Sequence, residues 1–309
     1  MNKVLIPTKL DTAAANLLKE KNYNVVQNAD KTLDELAKEH ADTNVLIVRS
    51  EKVTPEIIDA LPELKLVIRA GAGYNTIDTK YARSKKIDVM NTPGANSNAV
   101  AEEVIALYLA AYRHLIPGDI TTRQGLWEKK RLMGRELTEK TMGIIGLGNI
   151  GRLVVKRLKG FDMKFLGYDP LVSVNMAEQM GVKSCSMEKI FKNADCISLH
   201  IPENDKTKGI INKSLLNLMK PGAVLINCAR SGIINEDDLR AVKKEKNLVF
   251  CNDVYPKDIA GKKSVTDFAD IMLPHLGAST AEANYNAAMR SAEQILDYYD
   301  KGITNYVVN

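Results

Sequence analysis

Cysteine is scarce in this 309-residue sequence, and its four copies (Cys185, Cys196, Cys228 and Cys251) nowhere form a CxxC pair. Such spacing speaks against a zinc ribbon and against a disulfide-stapled scaffold, and no resident metal is expected. No uncharged apolar run approaches the 18 or more residues of a membrane span; Val104 to Tyr112 is among the longest. The opening Met-Asn-Lys is followed only by Val4-Leu5-Ile6, too little for the apolar core of a signal peptide. Glycine (19) and proline (10) are too few for a collagen-like or low-complexity chain. An excess of one charge is also missing: 43 basic residues face 38 acidic ones, a net +5. Nucleic-acid binding asks for basic residues clustered on one face, so no such partner is expected. A soluble cytoplasmic chain follows, with no membrane partner and a charge balance that suits a small anionic ligand.

What is present reads as two domains, since the length is about twice the ~150 residues of a common domain. Up to about residue 95, short β-branched runs (Val4 to Ile6, Val25-Val26, Val45 to Val48, Leu66 to Ile68, Ile87 to Met90) alternate with helical patterns at Ala13 to Lys21, Leu33 to His40 and Glu56 to Leu61. Such alternation implies parallel pairing in an α/β layer structure. After Asn91-Thr92-Pro93-Gly94 comes the longest helical pattern, Ala99 to Ile116. Ser97 or Asn98 is placed to cap it, and Glu102 and Glu103 to complement its positive end. Val100, Val104, Leu107, Ala111 and Leu115 form its apolar face, and Pro117-Gly118 is expected to stop it. Tyr108 and Tyr112 on this helix read as core or interface residues. A second α/β series has strands at Met142 to Gly146, Phe165 to Tyr168, Cys196 to Leu199, Val224 to Asn227, Leu248 to Asn252 and Ile271 to Leu273, and a helix from Ala281 to Lys301 follows.

Gly146-Leu147-Gly148-Asn149-Ile150-Gly151 matches GxGxxG. The match follows an apolar strand and opens a helix, and the next strand ends in Asp169, 18 residues past Gly151. Together these form the dinucleotide fingerprint in its required context. Gly146 permits the tight turn, Gly148 lets a pyrophosphate reach the backbone, and Gly151 lets helix and strand pack closely. Free amides and the helix dipole then hold the phosphates. Asp169 would accept the ribose hydroxyls and repel a 2′-phosphate, and Pro170-Leu171-Val172 supplies no arginine after it, so NAD is expected rather than NADP.

Three later strands are each followed by a chemically distinctive segment: Asn227-Cys228-Ala229-Arg230-Ser231-Gly232, Asp253-Val254-Tyr255-Pro256-Lys257-Asp258, and Pro274 to Thr280 with His275. A cation, a carboxylate and an imidazole thus leave successive strands on the edge where open α/β sheets bind ligands. With these segments the sequence resembles the D-isomer-specific 2-hydroxyacid dehydrogenases over essentially its whole length. Arg69-Ala70-Gly71-Ala72-Gly73, Met90 to Pro93, Trp127-Glu128-Lys129 and Pro274 to Thr280 resemble the family's phosphoglycerate branch.

The resemblance implies two Rossmann/flavodoxin-like parallel-sheet domains, the NAD domain (98–281) inserted into a substrate domain (1–97 plus 282–309), and a homodimer paired through the NAD domain. It implies catalytic roles for His275 as acid/base, Arg230 on the substrate carboxylate and Asp258 as the imidazole's acidic partner. Around the cofactor it implies Ala72, Gly146, Gly148, Asn149, Ile150, Gly151, Asp169, His200, Ile201, Thr207, Cys228, Ala229, Arg230, Asp253, His275, Gly277 and Ala278. Around the substrate it implies Arg49, Arg69, Gly71, Ala72 and Lys129, with Lys129 reaching a neighbouring subunit. Asp258-Ile259 departs from the family's Glu-Pro, and Ser231 stands where a second glycine is usual. His40 and His114 read as surface or capping residues, and Cys228 as packing rather than a nucleophile.

The implied reaction is NAD-dependent oxidation of D-3-phosphoglycerate, a small phosphorylated 2-hydroxy acid, to 3-phosphohydroxypyruvate at the entry to serine synthesis. A glyoxylate or hydroxypyruvate reductase is the near alternative, and an NAD-sensing binding module without catalysis the distant one. Because the sequence ends at Asn309, soon after the last helix, no C-terminal regulatory domain and no serine feedback through one are expected.

Overall fold

The computed structural model describes residues 1–255 and 268–309; Asp258 lies outside the described residues. The chain divides into two compact units, 1–96 with 279–309 and 97–278. Both are parallel-sheet α/β structures.

The first unit holds five strands, β1 (Lys3–Ile6), β2 (Asn24–Gln27), β3 (Val45–Val48), β4 (Leu66–Arg69) and β5 (Asp88–Asn91), in the order β2-β1-β3-β4-β5. This is the flavodoxin-like order, with a switch point between β1 and β3. Val45 to Val48 are fully buried, as a strand covered on both faces requires. Helices α1 (Thr12–Glu20), α2 (Leu33–Glu39), α3 (Pro55–Asp59) and α4 (Thr79–Ser84) connect the strands. The last helix of the chain, spanning Ala281–Lys301, packs Ala287, Ala288, Ala292 and Ile295 into the core beside Val4, Ile6 and Ile68. Thr280 caps its start and Gly302, at φ 65°, ends it.

The second unit begins with α5 (Ser97–Tyr112) and α6 (Leu115–Arg123). Its sheet contains β6 (Thr141–Ile145), β7 (Lys164–Tyr168), β8 (Lys183–Ser184), β9 (Cys196–Leu199), β10 (Val224–Asn227), β11 (Val249–Asn252) and β12 (Ile271–Met272). The order β12-β11-β10-β9-β6-β7-β8 is the dinucleotide-fold order extended by one strand, with its switch point between β6 and β9. Helices α7 (Asn149–Leu158), α8 (Val174–Gln179), α9 (Met187–Asn193), α10 (Lys213–Leu216) and α11 (Glu236–Lys246) link these strands, and the Ala281–Lys301 helix is thus α12.

The long helix expected over Ala99 to Ile116 is in fact two. His114 adopts φ 51° and breaks it, and Pro117-Gly118 lies inside α6 instead of stopping a helix. Proline is tolerated there because the amides of a first helical turn have no intrahelical acceptor to lose. Strand β8, two residues long, had no apolar run to announce it. Tyr108 and Tyr112 are core residues, 0% and 4% exposed, with ring centroids 4.6 Å apart in an edge contact. Among the described residues no helix is long and apolar enough to cross a membrane, and no group of three or more His, Cys, Asp or Glu is arranged to hold a metal.

Candidate active site

The turn after β6 separates the three glycines by what surrounds them. Gly146 has φ 99°, and a Cβ on it would lie 2.7 Å from the His200 carbonyl oxygen. At Gly151 a Cβ would lie 2.2 Å from the Gly146 carbonyl oxygen, so helix and turn touch backbone to backbone. Gly148 precedes the first residue of α7 with no side-chain cap, and a Cβ there would meet nothing within 4 Å. The amides of Asn149 and Ile150 stand at the start of a helix whose positive end is uncapped. Asp169 follows β7, and its carboxylate accepts the Leu147 and Leu171 amides at 2.8 and 2.9 Å. It thereby ties the acid at the end of β7 to the glycine turn.

The remaining residues of this unit leave the same carboxyl edge. His200 and Ile201 follow β9, and the His200 amide donates to the Ile145 carbonyl at 2.7 Å. Both His200 ring nitrogens are buried without a partner among the described residues, and burial pushes the imidazole pKa down to about 4. Thr207 closes its own loop, donating to the Pro202 carbonyl at 2.6 Å. After β10, the Asn227 side chain holds the Ala229 amide and the Arg230 carbonyl, at 3.1 and 3.0 Å. Arg230 donates to the Ala229 carbonyl at 2.6 Å; burial lowers its guanidinium pKa and the Glu203 carboxylate opposes that shift. Cys228 is buried, and burial followed by the charges of Glu103 and Asp253 raises its thiol pKa well above the usual range. That is the environment of a packing thiol, not of a nucleophile.

Asp253, 1% exposed, follows β11. It accepts the Leu276 amide on Oδ1 at 2.7 Å and the Gly277 amide on Oδ2 at 3.0 Å. These two bonds clamp the turn that starts at His275, whose φ of 60° is left-handed. A non-glycine residue pays roughly 1–2 kcal/mol for that conformation, so the clamp is part of what holds His275 in place. His275 and Ala278 thus belong to a fixed turn, two strands away from Arg230 along the sheet edge.

Glu103 is a member of this cluster that sequence reading assigned elsewhere. Helix α5 opens at Ser97, so Glu103 lies past its first turn and does not complement the dipole; it turns toward Asp253 and Cys228, and its Oε2 is buried without a partner among the described residues. Burial first, and the Asp253 charge second, push its carboxyl pKa up to about 8. Glu203, also unannounced, accepts the Gly232 amide at 3.1 Å, and a Cβ on Gly232 would lie 2.4 Å from its Oε1. The period of α5 carried a signal for Glu103, which falls three residues after Val100 and four before Leu107. Nothing in the sequence marks Glu203.

In the first unit, Arg49 follows β3 and Arg69 ends β4, neighbours across the sheet. The Arg49 guanidinium donates to Asn284 Oδ1 at 3.2 Å, and Arg69 Nε donates to the Arg49 carbonyl at 3.0 Å. Gly71 lies beneath the Arg69 guanidinium, where any Cβ would collide with it. The Ala72 carbonyl accepts from the Asn91 side chain at 2.6 Å. Lys129 sits in the second unit, in a loop beside Trp127, which is 87% exposed.

Comparison with known proteins adds the lineage. The sequence model described as "D-isomer specific 2-hydroxyacid dehydrogenase, NAD binding domain" matches residues 105–277. A D-3-phosphoglycerate dehydrogenase of Archaeoglobus fulgidus is 38% identical over 299 residues, covering 96% of this chain and 57% of the relative. The chain therefore spans little more than half that relative's length. A hydroxypyruvate reductase of Thermotoga maritima is 39% identical over 299 residues, covering 95% of this chain and 97% of the relative. The solved structure of NAD+-bound 3-phosphoglycerate dehydrogenase from Entamoeba histolytica superposes with a TM-score of 0.81 at 32% identity, covering 100% of this chain and 98% of that one. The chain belongs to the D-isomer-specific 2-hydroxyacid dehydrogenase family, and its second unit is that family's NAD-binding domain.

Proposed function

We propose that this chain oxidises D-3-phosphoglycerate to 3-phosphohydroxypyruvate with NAD, feeding serine synthesis in the cytoplasm. The observation that carries the reading is the shared carboxyl edge of β10 and β12, from which Arg230 and the clamped His275 emerge on the same edge of the sheet as the open glycine turn after β6. NAD, when bound, supplies the hydride acceptor. Gly146, Gly148 and Gly151 admit its pyrophosphate to the amides of Asn149 and Ile150, and Asp169 takes the ribose hydroxyls. His200, Ile201, Thr207, Cys228, Ala229, Gly277 and Ala278 line the same edge. His275 removes the hydroxyl proton as the hydride departs and returns it to the ketone oxygen in the reverse direction. Arg230, fixed through Asn227, holds the carboxylate and stabilises charge on the developing carbonyl. Asp258 is the proposed orienting acid for His275.

Arg49 and Arg69, with the Gly71-Ala72 backbone, are assigned to the phosphate. Pairing into a homodimer through the second unit is supported by α6, which buries no residue and exposes Leu115, Ile116 and Ile120. Lys129 would then serve the partner's site.

The test is NADH formation by purified protein from D-3-phosphoglycerate at mildly alkaline pH with the keto product trapped. Activity is expected, with a loss of about 10²–10⁴-fold in His275→Ala. The Thermotoga relative favours a second reading, reduction of unphosphorylated hydroxypyruvate. Arg49→Ala separates the two. A KM rise of roughly 10–100-fold, the worth of a charged hydrogen bond, is expected for the phosphorylated acid alone. Equal effects on both substrates would move the assignment to hydroxypyruvate.

A further inference from the structure

Helix α5 packs against β10 and β11 at the edge that carries the proposed chemistry. From it the Glu103 side chain reaches the Asp253 carboxylate, already committed through both oxygens to the Leu276 and Gly277 amides. The contact is close enough that a Cβ on Gly277 would lie 3.0 Å from Glu103 Oε2 and 3.3 Å from Asp253 Oδ2. Two ionised carboxylates packed this way would repel in a low-dielectric setting, and the Cys228 thiol, a weak donor, offsets little of that repulsion. One proton between them replaces the repulsion with a hydrogen bond from Glu103 to Asp253.

We infer that Glu103 is a positioning residue: protonated, it donates to Asp253 and so keeps the clamp that presents His275 in its left-handed conformation. This inference rests on the acid/base role proposed for His275. The titratable groups facing Glu103 are Asp253 from the end of β11 and Cys228 from the end of β10. Its neighbour on α5, Glu102, lies 3.7 Å from Arg157 of α7 instead. Loss of the Glu103 proton leaves two buried like charges beside the turn, and the clamp loosens. Burial and the Asp253 charge place that loss near pH 8, within reach of an ordinary pH profile.

The experiment compares the full-length wild type with Glu103→Gln, which keeps the shape and a donor but cannot ionise, and with Glu102→Gln, which removes the same charge outside the cluster. Keto-acid reduction by NADH is followed from about pH 6.5 to about pH 9.5. In the wild type and Glu102→Gln, log kcat/KM is expected to fall above about pH 8 with a slope approaching −2, one proton from His275 and one from Glu103. Glu103→Gln is expected to fall with a slope of −1. Identical slopes in the wild type and Glu103→Gln would overturn the inference.

Hydrogen–deuterium exchange over 274–280 runs in parallel and needs no turnover. Protection, corrected for intrinsic exchange, is expected to drop about tenfold between pH 7 and pH 9 in the wild type and to hold in Glu103→Gln. A wild type inert on every 2-keto acid would sink the role of His275 and leave exchange to decide on the clamp. An equal drop in both proteins would sink the clamp itself.

Discussion

Helices α1 and α7 each follow the first strand of a parallel sheet at its switch point, yet their N-termini are in opposite electrostatic states. Asp11 precedes α1, and its carboxylate accepts the Ala13 amide at 2.9 Å. Gly148 precedes α7 with no side chain at all, and the space beside it is open. An acidic cap satisfies a helix start and repels anions, whereas an uncapped glycine leaves amides and dipole to a phosphate. Topology therefore offers two similar crevices, and one N-cap residue in each decides which of them suits a dinucleotide. At the first unit's edge positive charge comes from side chains instead, those of Arg49 and Arg69.

Exchanging the caps tests this directly. Gly148→Asp is expected to weaken NADH binding by roughly 100-fold, about 2.7 kcal/mol, by placing a carboxylate where the pyrophosphate belongs. Asp11→Ala should leave the NADH Kd unchanged and reduce unfolding stability by about 1 kcal/mol. Titration of NADH fluorescence and urea denaturation read the two effects. Similar losses of affinity in both variants would abolish the contrast.

A second comparison lies inside the glycine turn. Gly151→Ala drives a Cβ to 2.2 Å from the Gly146 carbonyl, so helix and strand must separate, at about 1–3 kcal/mol of stability. Gly148→Ala meets open space at a negative φ and should change stability by less than about 0.5 kcal/mol. Urea midpoints of the two variants check the difference. A Gly148→Ala variant as unstable as Gly151→Ala would mean that Gly148 is needed by the fold and is not reserved for a ligand.

What could be read from the sequence follows from the range of the interactions involved. Strands such as Val45–Val48 were legible because a strand buried on both faces is an uninterrupted apolar run with local turn signals at its ends. The glycine turn was legible because its geometry is set by residues adjacent in the chain. The break at His114 was not, since a left-handed residue other than glycine carries no local mark. Glu103 was misplaced because a helix expected to open at Ala99 sets it near the positive end, whereas α5 opens at Ser97 and leaves no acidic residue in its first turn. Only its register with Val100 and Leu107 marks it as facing inward. Its partners, Asp253 and Gly277, are 150 and more residues away. Asp253's clamp on the His275 turn is likewise a contact between segments that no local pattern links.

The smallest expected effect concerns His200 and Glu103, buried groups of the second unit whose shifts run in opposite directions. His200 is held near 4, below its ordinary 6.5, because its ring nitrogens are buried without partners among the described residues. Between those values the unfolded chain binds a proton that the folded chain refuses. Stability is therefore full above about pH 6.5 and is lost as pH falls toward 4, on the order of 1 kcal/mol by about pH 5.5. Glu103 gives the mirror image. Its folded value of about 8 lies above the ordinary 4.5, so stability is full below about pH 4.5 and is lost as pH rises through 8. Urea unfolding at about pH 5.5, 7 and 9 separates the two, because their slopes oppose each other below about pH 6.5 and the Glu103 slope alone remains from there to about pH 8. Glu103→Gln should remove the fall between about pH 7 and 9 and leave a rise from about pH 5.5 to 7, whereas His200→Gln should remove that rise and leave a fall throughout. A single variant that flattened both would mean that the two groups titrate as one coupled cluster across the carboxyl edge of the sheet.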